Sequence, residues 1–330
     1  MAVTIRDVAL TAGVSPSTVS RALSAPDRVN AATRERVLAA AQRVGYRPNR
    51  AARGLITGRT GNVGLIVPDL ANPYFASVVK GAQARARESD YAVFVADTDE
   101  EAGVEPDLML ALSKQVDGLL LCSPRTSTEE LAAVDTGTPI VVMNRRVSPC
   151  VVADNGDGMR QALAHLAALG HRAVGYVGGP RTSSSNAERL AGLETAAPDL
   201  GVELRPMGNF PPLFEGGVAA ADIVIASGVT AAIVHNDIVA FGLMSRFVAR
   251  GVAVPGDVSV VGCDDIAMSA MAHTPLTTVA MPKNELGRAA MVLLIEILNG
   301  SVQPHSVVRE LPVRLIVRES TAPARTEERR

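Results

Sequence analysis

Two hydrophobic patterns divide the chain. From Asn62 onward, short runs of consecutive apolar residues alternate with stretches in which apolar residues recur at three- and four-residue spacing. The runs at 62–67, 91–96, 118–122, 140–143, 173–177, 231–234 and 258–262 predict buried strands. The stretches at 75–89, 159–169, 189–197, 239–250 and 283–298 predict helices. Strands that are apolar end to end are buried on both faces, which is the mark of a parallel sheet covered by helices. The length available fits two such sheets better than one. Before Asn62 there is no strand signal, only short helices, and no internal repeat at solenoid spacing is present. The polar stretch after Glu319 is expected to fray.

The N-terminal helices are delimited by their own punctuation. Thr4 is placed to cap a helix over 5–12, and Gly13 supplies the left-handed stop. Ser15 is an N-cap with Pro16 at the first helical position, opening a second helix over 16–23. Ile5, Val8, Ala9, Val14, Val19 and Leu23 form a shared apolar seam, which turns Ser17, Thr18, Ser20 and Arg21 outward. A third helix over 32–44 shows Val37, Leu38, Ala41 and Val44 on one face and ends at Gly45. Helix, glycine turn, helix is the shape that enters a DNA major groove. Arg21 suits either a bidentate contact to guanine or a phosphate clamp. The same geometry also suits a three-helix bundle that docks protein. Beyond Tyr46, a two-turn helix over 50–56 with Gly54 inside it is too poor to stand alone in water. Its Leu55 lies among Arg50, Arg53 and Arg59, the arrangement of an apolar wedge for a minor-groove step.

Charge sharpens this picture. The chain of 330 residues has a formal net charge of only −2. Residues 1–60 hold ten arginines and three acids, a net of +7, while the other 270 carry 22 basic and 31 acidic side chains, a net of −9. A basic module on an acidic body is the footprint of nucleic-acid binding, although a solvated basic surface has the same charge. With 47% hydrophobic residues, a disordered chain is excluded. No apolar stretch approaches the roughly 18 residues of a membrane span, and the N-terminus lacks a signal peptide, so a cytoplasmic protein is expected. Cys122, Cys150 and Cys263 are too few for a disulfide framework or a zinc site. The five histidines form no i, i+4 pair, and no nucleophile-elbow, P-loop or zincin motif is present. The expectation is therefore no enzyme, no metal and no cofactor. A plain binding protein on the same core is the alternative.

The segments TIRDVALTAGVSPSTVSRAL, VNAATRERVLAAAQRVGYRPNRAARGL and NVGLIVPDLANPYFASVVKGAQARA resemble the lac repressor/gal repressor family of bacterial transcriptional regulators. The resemblance continues through LAALGHRAVGYVGGP, ERLAGL, HND and VSVVGCDD to TPLTTVAMP, in one register over 4–320. It implies an α/β protein: a three-helix helix-turn-helix domain over 1–46, a hinge helix and linker over 47–60, and a two-lobed core over 61–330. That core would resemble a periplasmic binding protein with two parallel sheets. The implied partners are double-stranded operator DNA with an inverted repeat, a second copy of the chain, and a small-molecule effector, a sugar or related metabolite; a protein partner in place of the effector is the alternative.

By the same resemblance, Pro16, Ser17 and Arg21 would read bases, and Thr4, Ser15, Thr18, Ser20 and Asn30 would hold phosphates. Asn49, Ala51, Ala52 and Leu55 match the hinge positions. Pro16 offers no hydrogen bond to a base, so specificity would rest on Ser17, Arg21 and DNA bending. Tyr74, Phe75, Asp157, Ser185, Arg189, Asn236 and Asp264 match effector-cleft positions. Asp237 is expected to cap the helix after it, and Asp265 to pin its turn. Many members stack an aromatic ring on the sugar, where this sequence places Pro212 between Phe210 and Phe214 and has no Trp.

Overall fold

A left-handed glycine ends two of the three N-terminal helices, α1 (Ile5–Ala12), α2 (Pro16–Ser24) and α3 (Ala31–Val44). Gly13 stands at φ 63° and Gly45 at φ 68°, where a side chain would be strained. After each, the chain satisfies the last helical carbonyls: Val14 N–H donates to Ala9 O (3.0 Å) and Tyr46 N–H to Ala41 O (2.9 Å). At the start of α1 the Asp7 carboxylate accepts the Thr4 N–H (2.7 Å) and hydroxyl (2.8 Å), which holds its pKa below the usual carboxylate range. Val8, Ala9, Val19, Ala22, Val37, Ala40 and Ala41 form the core of this unit. Leu38 is instead 44% exposed. The buried stripe of α3 runs 37, 40, 41, 44, and Leu38 lies one helical step away from it.

The computed structural model describes residues 3–24, 28–46, 58–304 and 307–325, and the chain divides into two units, Met1–Gly61 and Asn62–Arg330. In the second unit, β1 (Asn62–Val67), β2 (Ala92–Asp97), β3 (Gly118–Cys122), β4 (Ile140–Met143), β5 (Cys150–Ala153) and β11 (Val308–Leu311) form one sheet. Its order is β2-β1-β3-β4-β5-β11, and every pairing is parallel. The second sheet contains β6 (Ala173–Gly178), β7 (Glu203–Asn209), β8 (Ala231–Val234), β9 (Ser259–Asp264), β10 (Thr277–Ala280) and β12 (Arg314–Ile316). Its order is β7-β6-β8-β9-β10-β12, parallel except for β12 against β10.

Each sheet and its helices make a lobe. The first carries α4 (Pro73–Glu88), α5 (Glu105–Ser113), α6 (Thr128–Ala133) and α12 (Lys283–Leu298). The second carries α7 (Asn155–Ala168), α8 (Ser184–Leu200), α9 (Phe214–Ala226), α10 (Asp237–Ala249) and α11 (Ala267–Met271). The chain passes between lobes after β5, after β10 and after β11. Two of these passages are tied together, since Asp154 N–H donates to Leu311 O (3.0 Å). Helix α12 is locked into the first lobe by backbone contact with α4. A Cβ on Gly81 would stand 2.0 Å from Asn284 O, and one on Gly287 2.0 Å from Val78 O.

Five strands lie outside the predicted apolar runs. β7 contains Pro206, β11 and β12 are half-exposed edges, β10 opens with two threonines, and β5, apolar throughout as CVVA, follows β4 after only six residues. Thr277 and Thr278 of β10 read as polar yet are fully buried. They are tolerated because the Thr277 hydroxyl accepts Arg318 N–H (2.9 Å) and the Thr278 hydroxyl donates to Asp237 (2.6 Å). The apolar run from Val218 onward is two elements, α9 and β8, separated at Gly228 with φ 70°. The stretch after Glu319 is not frayed where it is described. Ser320 is fully buried with its hydroxyl on Val260 O (2.6 Å), and Ala324 N–H donates to Leu169 O (2.8 Å). Among the described residues no helix is long and apolar enough to cross a membrane.

Candidate functional site

Helix α2 presents an outward face of small polar residues. Val19 is fully buried and Ala22 nearly so, which rotates Ser17 and Arg21 into solvent beside the exposed ring of Pro16. Thr18 and Ser20 are half-buried on the same helix, and Thr4, Ser15 and Asn30 are exposed. Ser15 organises this face: its Oγ accepts Thr18 N–H (3.2 Å) and shares hydrogen bonds with the hydroxyls of Ser17 and Thr18, both at 2.8 Å. Asn30 caps α3, its Oδ1 accepting Ala32 N–H (2.9 Å). The residues expected at bases and phosphates thus stand on the accessible surface of this unit. Asn49, Ala51, Ala52 and Leu55 lie outside the described residues.

In the second unit the C-terminal ends of the two sheets enclose a cleft, where open parallel sheets bind ligands. The first lobe contributes Asn72, Tyr74, Phe75, Glu100, Ser123, Arg125 and Asn144. The second contributes Ser183, Ser185, Arg189, Pro212, His235, Asn236 and Asp264. Every one of them follows the C-terminal end of a parallel strand or ends it. The cavity they enclose in this lobe arrangement is small, about 30 Å³. Six non-glycine residues at these strand ends have positive φ: Asp99 (52°), Glu100 (61°), Ser123 (48°), Asn144 (59°), Asp264 (124°) and Asp265 (54°). Such backbone strain concentrates at ligand sites.

Arg189 is the electrostatic centre of the second lobe. Its guanidinium is buried, its Nε donates to Asn155 Oδ1 (3.0 Å), and another of its nitrogens donates to His235 O. Its remaining edge lies 3.9 Å from the Asp264 carboxylate, leaving both groups capacity for further hydrogen bonds. Burial pushes Asp264 up to about 8, with Arg189 pulling the other way. His235 is held neutral, well below its usual range, by burial and by Arg189 and Arg125. Its ring lies flat on Gly179, where any Cβ would come within 2.4 Å of it. Asn236 caps α10, accepting Val239 N–H (2.8 Å), and its Nδ2 donates to Pro212 O (3.0 Å).

On the first lobe, Arg125 makes a two-pronged pair with Glu100, Nε and one terminal nitrogen donating at 2.5 and 2.8 Å. Asn144 Nδ2 donates to Tyr74 Oη (2.8 Å) and Ser123 Oγ (2.9 Å). Tyr74 stays a phenol, its pKa raised by burial, and meets Phe75 edge to face at 5.1 Å. Asn144 Oδ1 and His235 Nδ1 are buried without a hydrogen-bond partner. Both belong to residues that line the cleft.

Six of the seven expected cleft residues come together: Tyr74, Phe75, Ser185, Arg189, Asn236 and Asp264. Asp157 does not. Helix α7 begins at Asn155, earlier than its apolar spacing suggests, so Asp157 falls in the first turn and its carboxylate is taken by Arg160 and Gln161. Asn155 is the residue of that turn that touches the site, through Arg189. Asp237 is not the cap of α10; Asn236 is. The Asp237 carboxylate accepts Ile266 N–H, the Ser269 hydroxyl and the Thr278 hydroxyl, tying α10 to β10 and α11. Asp265 pins its turn through Arg318 (2.6 Å). His235 falls within the HND segment without being singled out, and Glu100, Arg125, Ser123 and Asn144 carried no sequence signal beyond their place after apolar runs. Among the described residues no three His, Cys, Asp or Glu side chains are grouped to hold a metal.

Comparison with known proteins matches residues 4–49 to the model of bacterial regulatory proteins, lacI family, and residues 163–321 to the periplasmic binding protein-like domain. The HTH-type transcriptional repressor CytR of Escherichia coli (strain K12) is 34% identical over 97% of this chain and 96% of its own length. Among solved structures, the lac repressor dimer bound to operator and the anti-inducer ONPF superposes with a TM-score of 0.85 at 29% identity, covering 98% of this chain and 100% of that one. The complex of the transcriptional regulator CelR with cellobiose gives 0.72 at 32% identity over 96% and 99%.

Proposed function

The chain belongs to the lacI family of bacterial regulatory proteins, and from that premise we propose how its two units divide the work of a DNA-binding transcriptional repressor. Helix α2 enters the major groove of an operator, with Ser17 and Arg21 reading base edges beside Pro16. Thr4, Ser15, Thr18, Ser20 and Asn30 hold phosphates. Asn49, Ala51, Ala52 and Leu55 act at the minor groove between two half-sites, Leu55 as the wedge. The protein works as a homodimer on an inverted repeat, in the cytoplasm where the DNA lies. Domain limits of 1–46, 47–60 and 61–330 follow from this assignment.

The cleft carries the effector part of the reading. Of its fourteen lining residues only Phe75 and Pro212 lack a polar side chain. Arg189 with Asp264, and the amides of Asn144 and Asn236, are suited to the paired hydroxyls of a sugar or sugar derivative. The cellobiose named for CelR is a member of that chemical class. A ligand held by both lobes shifts operator affinity only by preferring one lobe arrangement.

The test begins with selection of binding duplexes from a random pool by the full-length protein. The selected sequences should converge on an inverted repeat. Affinity for the winner should fall as a power of salt concentration, by about 0.9 in the exponent per phosphate neutralised. A selected site without two-fold symmetry, or an affinity indifferent to salt, would remove the dimeric, groove-reading account.

A further inference from the structure

Beside the cleft, two consecutive arginines cross from one lobe to the other. Arg145 and Arg146 follow β4, and neither was singled out by the sequence. Arg145 is 7% exposed. Within its own lobe its guanidinium donates to Thr126 O and to Pro124 O (2.8 Å). Across the cleft its Nε donates to Ser184 Oγ (2.8 Å) and a terminal nitrogen to Thr182 O (3.2 Å). The loop it grips in the first lobe is fixed from the other side. The buried carboxylate of Glu105 accepts the N–H groups of Arg125 (2.6 Å) and Thr126 (2.9 Å). Arg145 therefore reaches across from an anchored base.

What it reaches is the start of α8, the helix that carries Ser185 and Arg189. Arg146 adds a second strand to the strap, 3.5 Å from Glu188 one turn further along and paired with Glu310 on β11. Glu188 in turn accepts Asn155 Nδ2 (2.8 Å), and Asn155 Oδ1 holds Arg189. A continuous series of polar contacts thus runs from the end of β4 to the central guanidinium of the cleft.

We propose that Arg145 is the positioning residue for lobe closure, holding the start of α8 against the 124–126 loop and so fixing where Ser185 and Arg189 stand opposite Tyr74, Ser123 and Asn144. A buried guanidinium is stable only while its donors are matched, so separating the lobes strips it of two acceptors at once. Lysine is no substitute, since one ammonium cannot span both loops in the planar fork that arginine provides. The consequence for effector response rests on the cleft reading given above. The closure itself does not, and it is measurable without any ligand.

The test uses the full-length protein with spin labels at Asp107→Cys on α5 and Glu194→Cys on α8, diluted with unlabelled chain so that only distances within one copy are read. The three native cysteines are buried. Pulsed electron resonance should show one narrow distance in the parent. Arg145→Ala should lengthen and broaden it, Ser184→Ala should shift it in the same direction by less, and Arg145→Lys should resemble Arg145→Ala. Should Arg145→Ala fail to fold, Ser184→Ala carries the test, because it removes one hydroxyl and leaves the first lobe intact. Unchanged distances in Ser184→Ala would reduce Arg145 to a support for its own loop and overturn the proposal. So would distances in Arg145→Ala that overlay those of the parent. Failure of the effector reading would leave these distances as expected, so the two claims stand or fall separately.

Discussion

Asp264 shows how much a strand end decides. The same carboxyl on a surface helix would ionise near its ordinary value of 3.8; here burial lifts it to about 8. The folded protein therefore keeps a proton that the unfolded chain releases, and stability falls as pH rises between these two values. Asp264→Asn removes that loss. Its melting temperature relative to the parent should climb from about pH 4 to about pH 8 and then level off. A difference that does not change with pH would mean the carboxyl is not held protonated. The sequence marks Asp264, Arg189 and Asn236 because each lies in a segment that carries the family resemblance, VSVVGCDD, ERLAGL and HND. It does not mark Ser123 or Asn144. Their left-handed backbone is the kind that sequence reasoning assigns to glycine, and what makes them part of a cleft is the opposing lobe.

Helices and central strands were legible because a single physical cause produces each of them. An apolar run buried on both faces gives β1, β3, β4 and β8 their limits, and capping residues with left-handed glycines give α1 and α3 theirs. Edge strands answer to their neighbours instead: β11 and β12 exist because β5 and β10 offer open edges, and none of their own residues is fully buried. Helix α2 was readable for a further reason, since burying Val19 and Ala22 leaves only one face for Arg21. Arg21→Ala should weaken operator binding by roughly 5- to 150-fold, equivalent to the 1–3 kcal/mol of a good base contact, and relax sequence preference at one position of each half-site. A uniform loss across all duplexes, with a smaller salt exponent, would make Arg21 a phosphate clamp.

At the scale of the whole molecule, three chain passages let two separate sheets act on one ligand. None of the three was visible in the hydrophobic pattern, because Asp154, Met281–Pro282 and Pro312–Val313 are too short to carry a period. Their consequence is that each lobe holds half of the cleft, so a molecule bound there biases the lobe arrangement. Allosteric coupling of this kind is commonly worth about 1–3 kcal/mol. The decisive measurement is operator affinity, titrated in the presence of monosaccharides, disaccharides, sugar acids and sugar phosphates, for the parent protein and for Asp264→Ala. The account predicts that one compound class changes parent affinity by roughly 5- to 150-fold, that Asp264→Ala ignores the same compounds, and that both proteins bind the operator equally well without them. An operator affinity that no compound moves, or one that moves equally in Asp264→Ala, would contradict it.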